Sequence, residues 1–171
     1  MEETLQRLFN ILPGYKGYAA KEHRRDADKI LRTQLSGQFR DEQHLLTRIA
    51  QQLVATPGGL KHVERIEKVS QGLERFIVKL QTAPRGYAGW FSEITIDEVT
   101  LDQLYQYDLK LAESVTQLHE RITHLETQVN EQGDIAEAVA TLQTFMDDLN
   151  RQLDARDQFT AEGKAPDAPP L

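Results

Sequence analysis

Two short stretches carry the residue types best suited to chemistry: GYKGY at 14–18 and GYAGW at 86–90. Each reads Gly-Tyr-x-Gly-aromatic, and each interrupts helical sequence. Glycine-rich turns expose backbone N–H groups, and a helix N-terminus beside them favours anions. Lys16 lies inside the first stretch, and Arg85 immediately precedes the second. Just past the first, KEHRRDADKILR spaces Lys21, Arg25, Lys29 and Arg32 by 4, 4 and 3, which predicts one helix face. Glu22, Asp26 and Asp28 interleave with them, so a solvated, self-paired face is the plain reading.

Neither stretch is a P-loop, which needs Gly-Lys-Ser/Thr, nor a dinucleotide fingerprint, which also needs a strand before it. Two meanings remain. The aromatic rings plug one end of a bundle and tether its connections, or they line a recognition surface for a phosphate- or carboxylate-bearing ligand. On the second meaning the candidate surface is Tyr15, Lys16, Tyr18, Arg24, Arg25, Arg85, Tyr87, Trp90 and Asp108.

Asp108 draws notice because it interrupts an otherwise apolar stripe. It faces solvent where helices splay, or it fixes register as a buried polar residue, or it pairs with Arg24, Arg25 or Arg85 beneath the loops. Buried without a partner it would be costly.

Signatures of catalysis are weak. His119 and His124 are separated by five, about 140° apart on a helix, whereas the zinc-protease pattern needs four. Asp41 and His44 give a single carboxylate-x-x-His, where di-iron bundles use Glu-x-x-His on two helices. No nucleophile elbow appears. The expectation is a non-enzyme with no cofactor and no metal.

These residues must be positioned by helices. The clearest runs from Leu101 through Leu104, Asp108, Leu111, Val115, Leu118, Ile122, Leu125 and Val129, alternating steps of three and four. That is the seam of a knobs-into-holes helix, with Thr100 and Gln103 as a capping box. At Gly133-Asp134 the stripe jumps phase to Ile135, Val139, Leu142, Met146, Leu149 and Leu153. Asp134 and Glu137 form a fresh capping signal, and Gly133 suits a helix C-terminus. The spacing thus predicts helix 101–132 folding back as helix 135–159.

Earlier, TPGG at 56–59 breaks the chain between helices expected at 19–55 and 59–82. Ser36-Gly37 sits inside the first, but the stripe keeps phase across it, which favours one bent helix. Its loops would then converge: every tyrosine (Tyr15, Tyr18, Tyr87, Tyr105, Tyr107) and the lone Trp90 fall at one end. A short amphipathic segment, Leu5 to Leu12, leads the chain. EITIDEV at 93–99 alternates briefly, but a lone strand would lack a partner.

The 171 residues suit one domain. The expected boundaries are 1–160 for a helical bundle and 161–171 for a disordered tail. Cysteine is absent, and 39% of residues are hydrophobic against 27% charged, a globular balance. Residues 1–85 hold 15 Lys/Arg and 10 Asp/Glu, a net of +5, whereas 86–171 hold 5 and 17, a net of −12. A basic and an acidic hairpin packing together account for that split, and the acidic half disfavours nucleic acid. The polar start MEETLQR and the lack of a long apolar run point to a soluble, cytoplasmic protein.

The fold class expected is all-α: an antiparallel up-down bundle of two long helical hairpins with coiled-coil-like packing and a short N-terminal helix. The function expected is non-catalytic protein–protein interaction or scaffolding, including self-association through seam left over on helix 101–132. The alternative is a small-ligand or anion-binding module at the two-loop end.

Overall fold

In a computed structural model, residues 1–82 and 97–162 are described. Among them the chain is all-α. Helix α1 (Glu2–Ile11) is followed by a 3-10 turn (Lys21–His23), α2 (Arg24–Val54), α3 (Leu60–Thr82), α4 (Glu98–Glu131) and α5 (Ile135–Glu162). No helix there is long and apolar enough to cross a membrane. Helix α2 runs unbroken through Ser36-Gly37. The Ser36 hydroxyl donates to the Arg32 carbonyl at 2.6 Å, which satisfies it inside the core.

Helices α2 and α3 form one antiparallel hairpin and α4 and α5 the other. Across the hairpins α2 packs on α4 and α3 on α5, while α1 lies along α4. These cross-hairpin neighbours run parallel. At one end Arg48 reaches Glu126 at 3.1 Å and Gln52 reaches Asn130 at 2.7 Å. At the other, Lys79 pairs with Asp154. Helices α3 and α4 therefore sit across a diagonal.

Apolar burial drives this packing, at roughly 1.5–3 kcal/mol per enclosed leucine-sized side chain. The α4 seam is buried at every position from Leu101 to Val129 except half-buried Val115. Val139, Leu142, Met146, Leu149 and Leu153 answer it from α5, and Leu31, Leu35, Phe39, Leu46, Ile49 and Leu53 from α2. Phe39 and Phe76 meet edge-on at 5.0 Å between ring centres. The seam of α4 is used up inside the bundle, so none of it is left over for another chain.

Helix ends differ from expectation in physically clear ways. Helix α4 starts one turn before the expected Thr100–Gln103 box, because Asp97 accepts from the Thr100 N–H at 2.7 Å. Residues 97–99 of the EITIDEV stretch are thus the cap and first turn of a helix. At the α4–α5 turn the left-handed residue is Gln132 (φ 55°), not Gly133. Gly133 serves instead by lacking a side chain: a Cβ there would sit 2.1 Å from Gln128 Oε1. That oxygen accepts the Asp134 N–H at 2.8 Å. Asp134 caps α5 as expected, accepting from the Glu137 N–H at 2.9 Å. Helix α5 continues to Glu162, past the boundary expected at 160; residues 163–171 of the expected tail lie outside the described residues. Helix α2 begins at Arg24 rather than 19.

Gly37 is exposed, mid-helix, and a Cβ there would meet nothing within 4 Å. Gly37→Ala should raise stability by about 1 kcal/mol, read as a higher urea midpoint with unchanged slope.

Candidate functional site

The first Gly-Tyr stretch folds over the end of the bundle where α2 and α4 begin and α3 and α5 finish. Its backbone is held on both sides. The Tyr15 N–H donates to the Leu12 carbonyl at 3.1 Å, and Gln34 Nε2 donates to the Pro13 carbonyl at 2.6 Å. The Tyr18 N–H donates to the Tyr105 hydroxyl at 2.7 Å. Gly17 makes that approach possible. Its φ is +72°, and a Cβ would lie 2.8 Å from the same hydroxyl, so both conformation and space demand glycine.

Tyr15 and Tyr18 turn inward. Their rings meet edge-on at 5.7 Å, and Tyr18 stacks on Tyr105 at 5.6 Å. Both hydroxyls donate to Asp108 Oδ2, Tyr15 at 3.0 Å and Tyr18 at 2.6 Å. Asp108 is fully buried, which corrects the solvent-facing reading. Among the described residues its cationic partner is neither Arg24 nor Arg25, while Arg85 lies outside them. Arg156 Nε, from α5, donates to Asp108 Oδ1 at 2.6 Å.

Arg156 is itself 0% exposed, and it extends the network. Its Nη2 donates to Asp28 Oδ1 at 2.6 Å and to the Tyr18 hydroxyl at 3.1 Å. Its Nη1 makes no hydrogen bond but lies 3.7 Å from Asp157 Oδ1. Arg32 Nε donates to Asp28 Oδ2 at 3.0 Å, and its two terminal nitrogens reach the Leu80 carbonyl and Asp157 at 3.3 and 2.7 Å. Arg24, also buried, donates from Nε to the Tyr18 carbonyl at 2.9 Å. Three aspartates and three arginines thus tie α2, α3, α4, α5 and the loop into one balanced cluster.

The charges act on each other as their burial requires. Burial alone would raise the Asp28 carboxyl, but Arg156 and Arg32 outweigh it and hold it below the usual range. Burial opposes the Arg156 cation, and Asp108 and Asp28 overcome that, keeping it protonated. Burial first and anionic neighbours second push Tyr15 and Tyr18 well above an ordinary phenol. Tyr105 is raised too, chiefly by burial.

Of the remaining sequence candidates, Lys16 and Arg25 face solvent. Arg85, Tyr87 and Trp90 lie outside the described residues, so the meeting of the two loops does as well. The basic face expected of Lys21, Arg25, Lys29 and Arg32 divides: Arg25 and Lys29 are exposed, Arg32 is buried on Asp28, and Lys21 belongs to the 3-10 turn before the helix. Among the described residues no cluster of His, Asp and Glu is arranged to hold a metal. Comparison of the chain with family models, curated proteins and solved structures finds no match.

Sequence reasoning missed Arg156, Asp28 and Asp157, although a signal was there. Continuing the α5 stripe from Leu149 and Leu153 in steps of three and four lands on Arg156 and Thr160. The α2 stripe extended back from Leu35 and Leu31 lands on Asp28 and Arg24. Three helices each carry a charge on an apolar seam at the same end.

What this arrangement does is fix geometry. Arg156→Ala strands two buried carboxylates and should cost about 3–5 kcal/mol, measured by urea unfolding. Because the native phenols are held neutral, stability should be full below the ordinary tyrosine value near 10 and fall as pH rises above it. Tyr15, Tyr18 and Tyr105 should stay silent in an alkaline phenolate titration until the fold gives way. Asp28 has the opposite sign. Its contribution is present above the ordinary aspartate value and is lost as acid carries pH down through its lowered one.

Proposed function

We propose that the chain is a non-catalytic helical interaction module that pairs with a second copy of itself through the tip of the α2–α3 hairpin. The observation supporting this reading is a pair of exposed apolar side chains at the mouth of an apolar groove. Val54, ending α2, is 57% exposed, and Leu60, opening α3, is 67% exposed. Val54 forms one wall of a groove of about 240 Å³ between the helices, lined also by Leu46, Ala50, Val63 and Ile66.

A two-fold axis across two such tips seats each copy's Val54 and Leu60 in the other's groove, because an isologous interface needs one patch complementary to itself. The rim has the matching charge pattern. Lys61, Glu64, Glu67 and Lys68 expose both signs along α3, with Glu64 and Lys68 paired at 2.9 Å. The α4 seam, suggested by sequence as the adhesive surface, is occupied within the bundle.

Sedimentation velocity over a wide concentration range should show a monomer–dimer equilibrium. The double substitution Val54→Asp, Leu60→Asp should leave a monomer with the wild-type helical circular dichroism. A wild-type protein that stays monomeric throughout would overturn the reading.

A further inference from the structure

The loop that buries Tyr15 and Tyr18 turns the one side chain between them outward. That side chain is Lys16. Its backbone is bracketed by Gly14 (φ +80°) and Gly17 (φ +72°), by the Pro13 bond to Gln34, and by two phenols anchored on Asp108. An exposed lysine normally spends its conformational freedom on binding; here the main chain beneath it is already fixed.

Lys16 projects over a groove of about 430 Å³ between the loop and the outer face of α2, within the size range of small-molecule sites. His23 and Lys29 line the same groove, with Asp26, Thr33 and Gln34 as its other polar residues. Its floor is apolar, made by buried Ala27 and half-buried Ile30. Lys16, His23 and Lys29 make no ion pair among the described residues, as is true of Arg25 and several other exposed basic side chains. Two unpaired ammonium groups and an imidazole over an apolar strip match an anion that carries a small apolar body. Asp26 opposes it and sets a limit on affinity.

We infer that this groove binds a small phosphomonoester, its dianion between Lys16, Lys29 and His23 and its apolar portion on Ala27 and Ile30. The charge count favours a dianion over a monoanion, because two fixed cations must outweigh Asp26. The buried tyrosines then act as positioning residues: they hold the main chain that presents Lys16 and touch no ligand. The inference is independent of self-association, since the groove and the hairpin tip lie at opposite ends of α2.

Backbone amide chemical-shift titration of the full chain separates the possibilities, with phenyl phosphate, inorganic phosphate and benzoate as probes. Phenyl phosphate should move resonances of residues 16 and 23–34 and bind most tightly, inorganic phosphate next and benzoate least. Lys16→Ala should weaken phenyl phosphate by about tenfold without changing the urea midpoint. Asp26→Asn should tighten it by about threefold, a gain that a merely structural Asp26 would not produce. Shifts scattered over the surface, benzoate binding equal to phenyl phosphate, or an unchanged affinity in Lys16→Ala would each overturn the site.

Discussion

Asp108 and Arg156 are both completely removed from water. Taking two charges out of solvent costs several kcal/mol each even after relaxation, and their mutual attraction recovers this only with near-ideal geometry and satisfied remaining atoms. Everything else at this end of the molecule follows from that requirement. The second Asp108 oxygen needs donors, and the two phenols of the first Gly-Tyr loop supply them. The guanidinium needs a second carboxylate, and Asp28 supplies it. Asp28 in turn engages Arg32, which reaches Asp157 and the last turn of α3. The loop is therefore part of the bundle's interior rather than a connection lying on it.

Such a cluster contributes less to net stability than to alignment. A leucine-rich seam repeats every seven residues, so α4 could slide against its neighbours by a heptad with little loss of apolar contact. A buried ion pair admits one alignment, because every other leaves a charge in the core without a partner. The apolar length of the helices supplies the driving force, and the charged end selects the register. Longer-range charge works in the same direction. Arg32, Arg48 and Lys79 of the first hairpin each pair with an acid of the second, so the +5 and −12 halves of the chain meet with complementary sign.

Much of the fold was legible in the sequence because helix period and breaker residues are local signals. The seam from Leu101 to Val129, its change of phase at Gly133 and the TPGG break each report on their own surroundings. The stripe through Ser36-Gly37 correctly implied an unbroken α2. Of the aromatic convergence expected with it, Tyr15, Tyr18 and Tyr105 meet, and Tyr87 and Trp90 lie outside the described residues. Helix starts were harder. Asp97 outcompeted Thr100 as a cap because either spacing satisfies the local pattern, and only the surrounding chain decides between them. The partner of Asp108 was harder still. Arg156 lies 48 residues away, and pairing between helices depends on the rotation of each about its axis, which a single stripe does not encode. The usable clue was comparative: Asp28, Asp108 and Arg156 all violate apolar seams at one pole of the rod.

The two surfaces proposed above occupy opposite poles. Helix α2 has 31 residues and so spans about 46 Å at 1.5 Å per residue, with the Lys16 groove at its start and Val54 at its end. Contacts this far apart with no shared partners normally add without coupling, so occupancy of one pole neither blocks nor requires the other. Any communication would have to pass through α2 or the paired seams. Both are rigidly packed, and the buried ion pair holds them to a single register. A change of register could couple the poles only by breaking the Asp108–Arg156 bond, whose loss costs more than either surface contact could return. If both proposals hold, the charged cluster is the fixed reference for two surfaces that stand apart.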